Sequence, residues 1–333
     1  MTVYLVQRLA GTIPVLLLIS LLVFILIHAA PGDPALMLLG EETNAAAVAK
    51  AKAHWGLDRP LYVQYFKFIA SAASGEFGKS FKYGEPVTSV IRTRLPATIE
   101  LAVFSIIIAT LLAIPLGVIA GSKPNSWMDN LGTSFGLFGI SMPSFWLGIM
   151  LILLLAGSLN VLPTSGRSTY GVAGPEVTGF YFLDSIMQKN WAAVWDGLTH
   201  VVMPALALGM NMLGILMRVT RSSVLEVMNE EYVTTARAKG LAEKNVIWRH
   251  VTSNALIPVV TVVGLELGTL LSGSIIVETV FAWPGSGSLL ITALNARDYP
   301  LVTGLVMTYT VAFVAINLII DGLYAIIDPR IRY

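Results

Sequence analysis

Six long apolar stretches run through this 333-residue sequence, and they restrict its fold more than any other feature. An apolar helix of roughly 20 residues crosses the ~30 Å hydrocarbon core of a bilayer, and each stretch has about that length. The stretches are residues 9–29, 97–120, 131–156, 201–219, 258–280 and 301–327. Charged residues make up only 12% of the chain, about half of the ~25% typical of soluble domains. We therefore predict an all-α membrane protein with six transmembrane helices.

The first apolar stretch has two interpretations. Arg8 followed by residues 13–27 has the pattern of a signal peptide, although the "HAA" at residues 28–30 is a poor cleavage site. Residues 9–29 are also long enough to span the membrane. We expect this segment to be retained as the first span.

The orientation follows from lysines and arginines in the loops, because short basic loops stay in the cytoplasm. Six of these residues, from Arg218 to Arg249, lie at the end of the fourth stretch and in the central loop that follows it, on the same side as both termini. The short loops of the opposite side hold only Arg167, Lys189 and Arg297. We therefore predict a cytoplasmic N-terminus leading into the first span over residues 1–29, an extracytoplasmic cap at 30–96, a membrane core at 97–327 and a cytoplasmic tail at 328–333.

Two outer segments have different patterns. In the cap, Asn44 and Gly56 bracket a short predicted helix, and an apolar face follows at helical spacing. That face consists of Tyr62, Tyr65, Phe66 and Ile69. Residues 157–199 are rich in Gly, Pro and aromatic residues, which predicts an irregular loop.

Nucleotide binding and catalysis by this chain are disfavoured. The "SGEFGKS" at residues 74–80 ends like a phosphate-binding loop, but position 73 is Ala73 where such a loop needs glycine. Ser286 and Ser288 could be nucleophiles, yet the histidines lie outside the span interiors. The sequence has no cysteine and no His and carboxylate cluster with metal-ligand spacing. We assign no catalytic or metal-binding residue, and a net charge of +1 disfavours nucleic-acid binding.

Polar groups and prolines inside the apolar stretches indicate more than a membrane anchor. Pro115, Pro143 and Pro204 are predicted to interrupt the second, third and fourth spans. Charged groups at membrane depth cost about 2.5–3.5 kcal/mol on insertion scales, so polar side chains there should face an interior. Hydrogen bonds between helices and the lining of a transport path both remain open explanations for them. The candidates are Asn211, Glu266, Ser274 and Glu278.

The central loop contains a predicted helix of about ten residues. Asn229 is the predicted N-cap, and Gly240 can adopt the left-handed conformation that ends a helix. Acidic residues stand at its start and basic residues at its end, as the helix dipole favours. The side chains of Ala236 and Ala238 are small and protrude little from the helix, which suits insertion into a partner's groove. A solvated connector remains the alternative. Residues 246–256 form a second segment, in which Val246, Ile247, Trp248 and Val251 are available for packing.

This loop, "EYVTTARAKGL" followed by "RHVTSNALIPVVT", closely resembles the signature loop of membrane subunits in ATP-binding-cassette (ABC) importers. The resemblance is to the dipeptide, oligopeptide and nickel branch, and most of all to the first of its two permeases, the dipeptide permease type. Further matching motifs are "PGDP", "SMPSFWLG", "RVTRSSVLEVM", "FAWPGSGS", "RDYP" and "DPRIRY". The wider superfamily begins this loop with Glu-Ala-Ala, whereas Thr234, Thr235 and Ala236 stand here.

The resemblance implies a type I ABC importer permease fold in a bacterial cytoplasmic (inner) membrane. The implied partners are a homologous second permease, two ATPase subunits that bind ATP and Mg, and an extracytoplasmic solute-binding protein. The chain itself would hold no cofactor, and it would contact membrane lipid and a peptide substrate. Residues 221–257 would form the coupling loop, and its short helix would sit in a groove of one ATPase subunit. The residues assigned to that contact are Glu230, Glu231, Tyr232, Thr235, Ala236, Arg237, Ala238, Lys239 and Gly240.

Other functions remain open at this point. A secondary carrier driven by an ion gradient would also use polar groups at membrane depth. A membrane-embedded enzyme is the third possibility, and it lacks a convincing nucleophile and base. Within the importer branch, glutathione and nickel chelates are alternative substrates to peptides.

Overall fold

The computed structural model of the protein describes residues 2–29 and 59–327. The predicted helix between Asn44 and Gly56, most of the predicted cap and the tail at 328–333 lie outside the described residues. The described helices are α1 (Thr2–Ala29), α2 (Leu61–Ala73), α3 (Val87–Ser122), α4 (Trp127–Ser141), α5 (Ser144–Leu151), α6 (Tyr181–Met187), α7 (Trp191–Val227), α8 (Glu231–Ala238), α9 (Thr252–Val280), α10 (Ser286–Asn295) and α11 (Tyr299–Ile327). A π-helical turn, Ile152–Ser158, extends α5. A short turn, Glu243–Asn245, and a π-helical turn, Val246–Val251, lead into α9.

Four described helices are long and apolar enough to cross a membrane. They are Val87–Ser122, Trp191–Val227, Glu243–Leu270 and Tyr299–Ile320, and the bent pair α4 and α5 makes a fifth if it is counted as one span. In α1, the apolar segment Gly11–Ile25 is shorter than 18 residues. A multi-pass helical membrane protein is therefore confirmed, with four or five of the six expected spans.

The helices form two compact units, Met1–Leu95 with Ser288–Tyr333, and Pro96–Gly287. In the first unit, α2 packs on α1, because the Tyr65 hydroxyl donates to the Leu17 carbonyl at 3.1 Å and the Tyr65 ring meets Phe24 at 5.4 Å. The predicted helix at residues 62–69 is confirmed. Tyr62 and Phe66 of its apolar face remain exposed.

The "GKS" sequence of the first unit forms an anchored turn. The Ser80 hydroxyl and the Lys82 backbone N–H both donate to the Asp298 carboxylate, the latter at 3.0 Å. Asp298 also accepts from the Leu301 N–H at 3.2 Å, which caps the start of α11. Ser80 thus helps to fix the start of α11 through Asp298.

In the second unit, α7 is the central helix, since α4, α5 and α9 pack around it and α3 approaches it closely. The closest approaches occur at glycines. A Cβ on Gly117 would lie 2.8 Å from the Met217 carbonyl oxygen, and a Cβ on Gly209 would lie 2.8 Å from that of Ser105. Most of the apolar part of α7 is buried as a result.

Only one of the three prolines breaks a span. Met142 is extended (φ −87°, ψ 127°), which is the conformation favoured before proline, and α4 and α5 meet there at 107°. Helices α3 and α7 continue through Pro115 and Pro204. The predicted interruptions of the second and fourth spans are therefore wrong.

Candidate functional site

Helix α8 is the centre of the predicted coupling loop, and it is shorter than expected. It has eight residues, and Glu230, extended at ψ 144°, occupies the N-cap position without a side-chain capping bond. The predicted cap, Asn229, donates to the Leu225 carbonyl at 2.9 Å instead. The assignment of Asn229 was wrong because its amide completes the last turn of the preceding helix.

The C-terminal end of α8 agrees with the prediction. Gly240 has a φ of +75°, in the left-handed region. Its N–H donates to the Arg237 carbonyl at 2.9 Å, and the Leu241 N–H donates to the Ala236 carbonyl at 3.4 Å. This pair of bonds is the Schellman arrangement that a glycine at this position permits.

On the coupling role that the sequence resemblance implies, Gly240→Val is expected to lower the ATP-driven uptake of the reconstituted complex several-fold. The space around Gly240 is open, so the effect comes from backbone strain of about 1–2 kcal/mol or more at positive φ. Gly240→Asn is the matched control, because asparagine tolerates this region better than other residues, and it should keep most of the uptake. Equal uptake by the valine variant and the wild type would show that this helix end has no part in coupling.

One face of α8 is buried in its own chain. Val233 is fully buried and Ala236 is 7% exposed, and both pack in a cluster that we call the α8 core. Its other buried members are Val118 of α3, Val224 of α7, Val246 and Val251 of the π-helical turn, and Ala255 of α9. The side chain of Ala236 faces this core, and its expected contact with a partner's groove stays a prediction. Trp248, also predicted to pack, is 44% exposed.

Two polar links fix the remaining sides of α8. The Asn254 amide donates to the Tyr232 hydroxyl at 2.9 Å, which joins α8 to α9. Arg237 donates to the Glu243 carboxylate at 2.8 Å, and this hydrogen bonding raises the pKa of the Arg237 guanidinium. The charge of Arg237 was assigned to a partner contact, but it is already paired within the chain.

The outward face of α8 carries the other predicted contact residues. Glu230, Glu231, Thr235, Ala238 and Lys239 are exposed. In the part of the chain that the structure describes, the side chains of Glu230, Glu231 and Lys239 form no ion pair. Two further exposed residues, Thr234 and Leu241, were not among the predicted contacts. The sequence signal for Leu241 is its position as an apolar residue directly after the glycine that ends the helix.

Two of the four candidate path residues are buried inside the protein. The fully buried Glu278 accepts from the Thr98 hydroxyl at 2.7 Å, and Thr98 lies 2.9 Å from the Ser286 hydroxyl. A Cβ on Gly285 would lie 2.5 Å from the Glu278 carboxyl carbon, so the "WPGSGS" turn closes directly over this side chain. Ser274 is also fully buried. Neither residue lines an open path in this structure, because helix packing covers both.

The other two candidates are accessible. Asn211 is exposed although its neighbours along α7 are buried. Glu266 is partly exposed on α9 and accepts from the Thr269 hydroxyl at 2.8 Å. These two side chains remain candidates for a polar path.

The segment 157–199 is more ordered than the sequence predicted. Arg167 donates to Glu100 of α3 at 2.6 Å, and Glu100 also accepts from the Phe182 N–H at 3.0 Å. Asp184 accepts from the backbone N–H groups of residues 177–179, so α6 is tied to the turn before it. Burial alone would raise the pKa of Asp184, but these hydrogen bonds and the one from the Thr178 hydroxyl lower it overall. In the described residues, no group of three or more His, Cys, Asp or Glu side chains is placed to hold a metal ion.

Comparison with known proteins gives full-length similarities. Residues 113–333 match the family model described as "Binding-protein-dependent transport system inner membrane component", and residues 1–102 match the corresponding N-terminal model. The chain is 42% identical over 326 residues to the probable D,D-dipeptide transport system permease DdpB of Escherichia coli K12, covering 98% of this chain and 96% of that protein. It is 40% identical over 333 residues to the dipeptide transport system permease DppB of Alkalihalophilus pseudofirmus, covering both chains fully. It is 39% identical over 330 residues to the glutathione transport system permease GsiC of Salmonella paratyphi A, covering 99% of each.

Proposed function

This chain belongs to the family of inner membrane components of binding-protein-dependent transport systems, and on that premise we propose that it is a permease subunit of an ATP-driven importer for dipeptides or short oligopeptides. The full-length identity of 40% to a dipeptide transport system permease carries the proposal. The chain is a transport subunit, and ATP and Mg would be bound by separate ATPase subunits. A homologous second permease and an extracytoplasmic solute-binding protein would complete the complex.

The packing of α8 against the membrane helices supports a mechanism for coupling. The α8 core joins this short helix to α3, α7 and α9, so a movement of α8 alone would break these apolar contacts. An ATPase subunit that displaces α8 would therefore move three membrane helices together. Such rigid-body motion is what alternating access between inward-open and outward-open states requires.

The outward face of α8 is the part that would contact the ATPase. Glu230 and Glu231 would provide charge at one end and Lys239 at the other, with Thr234, Thr235 and Ala238 between them. Tyr232, 41% exposed, and Leu241, 42% exposed, would supply the apolar contacts. Arg237 would act indirectly, by holding the helix end through Glu243.

The remaining proposals concern the path and the topology. Asn211 and Glu266 would line the path, while Glu278 would hold the "WPGSGS" turn against α3. Both termini and α8 would be cytoplasmic, as the distribution of basic residues in the short loops favours. Residues 30–96 would form an extracytoplasmic cap that contributes to the docking of the binding protein.

Glutathione is the second candidate substrate, because 39% identity to a glutathione permease is almost as high as that to the dipeptide permeases. The test is uptake of labelled dipeptide by the reconstituted complex with its cognate binding protein. We expect ATP-dependent uptake that unlabelled dipeptide abolishes and excess glutathione does not. Uptake by the purified chain alone, driven by an ion gradient, would support a secondary carrier instead.

A further inference from the structure

A cavity of about 250 Å³ opens between α4 and α7 in the second unit, and the proposed transport mechanism does not use it. Gly132, Gly136 and Gly214 line it where the two helices approach, and Leu137 and Met217 add apolar walls. Both helices belong to segments that are apolar enough to cross a membrane. The cavity therefore provides an apolar recess within the bilayer region.

Two arginines stand at the rim of this cavity, and they differ in their partners. Arg221 donates to the Asp129 carboxylate through Nε and through Nη2, the latter at 2.8 Å, so its charge is balanced. Arg218 is exposed and has no hydrogen bond or ion pair with any residue that the structure describes. A free guanidinium thus lies beside an apolar recess.

We propose that this cavity binds an anionic phospholipid, with part of an acyl chain between α4 and α7 and the phosphate group at Arg218. Guanidinium groups form strong paired hydrogen bonds with phosphate oxygens, and basic pockets between membrane helices select anionic headgroups. The balanced Asp129 and Arg221 pair leaves Arg218 as the cation that attracts the headgroup. Placing the lipid in the cytoplasmic leaflet rests on the proposed topology, whereas the lipid selectivity does not.

The proposal can be tested by lipid retention. The full chain, purified with its partners in mixed phosphatidylglycerol and phosphatidylcholine nanodiscs, is transferred to detergent, and retained lipid is counted by native mass spectrometry. Arg218→Gln is expected to lower phosphatidylglycerol retention about fivefold, the effect of roughly one basic residue near a membrane surface, without changing phosphatidylcholine retention. Arg249→Gln removes the same charge from an exposed residue away from the cavity and should leave both unchanged.

A second variant tests the recess separately from the charge. A Cβ at Gly136 would make only ordinary contacts, the nearest at 3.6 Å, so Gly136→Ala narrows the cavity without a clash at the backbone. It should also lower phosphatidylglycerol retention. Equal retention by Arg218→Gln and wild type would overturn the proposal, as would a loss of both lipids in equal proportion. A wild-type complex that retains no more phosphatidylglycerol than phosphatidylcholine would overturn it too, as expected if the second permease covers the cavity.

Discussion

Val233→Asp is expected to reduce ATP-driven uptake by more than about tenfold while the ATPase subunits still hydrolyse ATP. Val233 is fully buried in the α8 core, and a carboxylate there would have no partner. Leaving such a group buried costs about 3 kcal/mol or more, so α8 would no longer pack against the α8 core. The helix would then move without α3, α7 and α9. The measurement is uptake per ATP hydrolysed in proteoliposomes.

The control for this variant adds the same charge nine residues further along the chain. Ala242 is exposed at the N-cap position of the helical turn that begins at Glu243, where aspartate is a favoured residue. Ala242→Asp should therefore keep normal coupling. If Val233→Asp keeps a normal ratio of uptake to hydrolysis, the α8 core does not transmit the movement.

Glu278→Leu is expected to destabilise the second unit by about 1–3 kcal/mol, the cost of leaving buried donors without their acceptor. The substitution removes the group that accepts from Thr98 beneath the "WPGSGS" turn. The predicted result is a lower thermal transition of the purified protein, followed through tryptophan fluorescence.

Glu266→Leu is the matched control, because it makes the same change on the same helix at a partly exposed residue. Its transition should stay near that of the wild type, while uptake falls if Glu266 lines the path. Equal transitions for the two variants would contradict the structural role of Glu278.

Local signals explain how much of α8 could be predicted. The acidic start, basic end and terminating glycine are properties of neighbouring residues, and they placed the helix to within two residues of its observed ends. The buried face was not predictable in the same way. Eight residues make barely two turns, and the partners of Val233 lie on helices far apart in the sequence.

The surroundings of the polar residues in the spans were even harder to predict from the sequence. The side chain of a glutamate in an apolar helix must face the protein interior. That interior can be either a transport path or a packed hydrogen-bond network. Thr98 lies 180 positions from Glu278 in sequence, so only the fold decides between them. The three prolines also have the same local chemistry, yet the helix breaks at Pro143 and continues through Pro115 and Pro204.

Site-directed cross-linking from α8 tests the central claim most directly. The sequence has no cysteine, so in a complex whose other subunits carry no reactive cysteine, Thr235→Cys labelled with a photoactivatable maleimide reports on one position. We predict an adduct with the ATPase subunit, identified by its mass, and none from Tyr170→Cys, an exposed residue on the predicted outer side. An active complex that gives no ATPase adduct at position 235, or equal adducts at both positions, would contradict the assignment of α8 as the coupling helix.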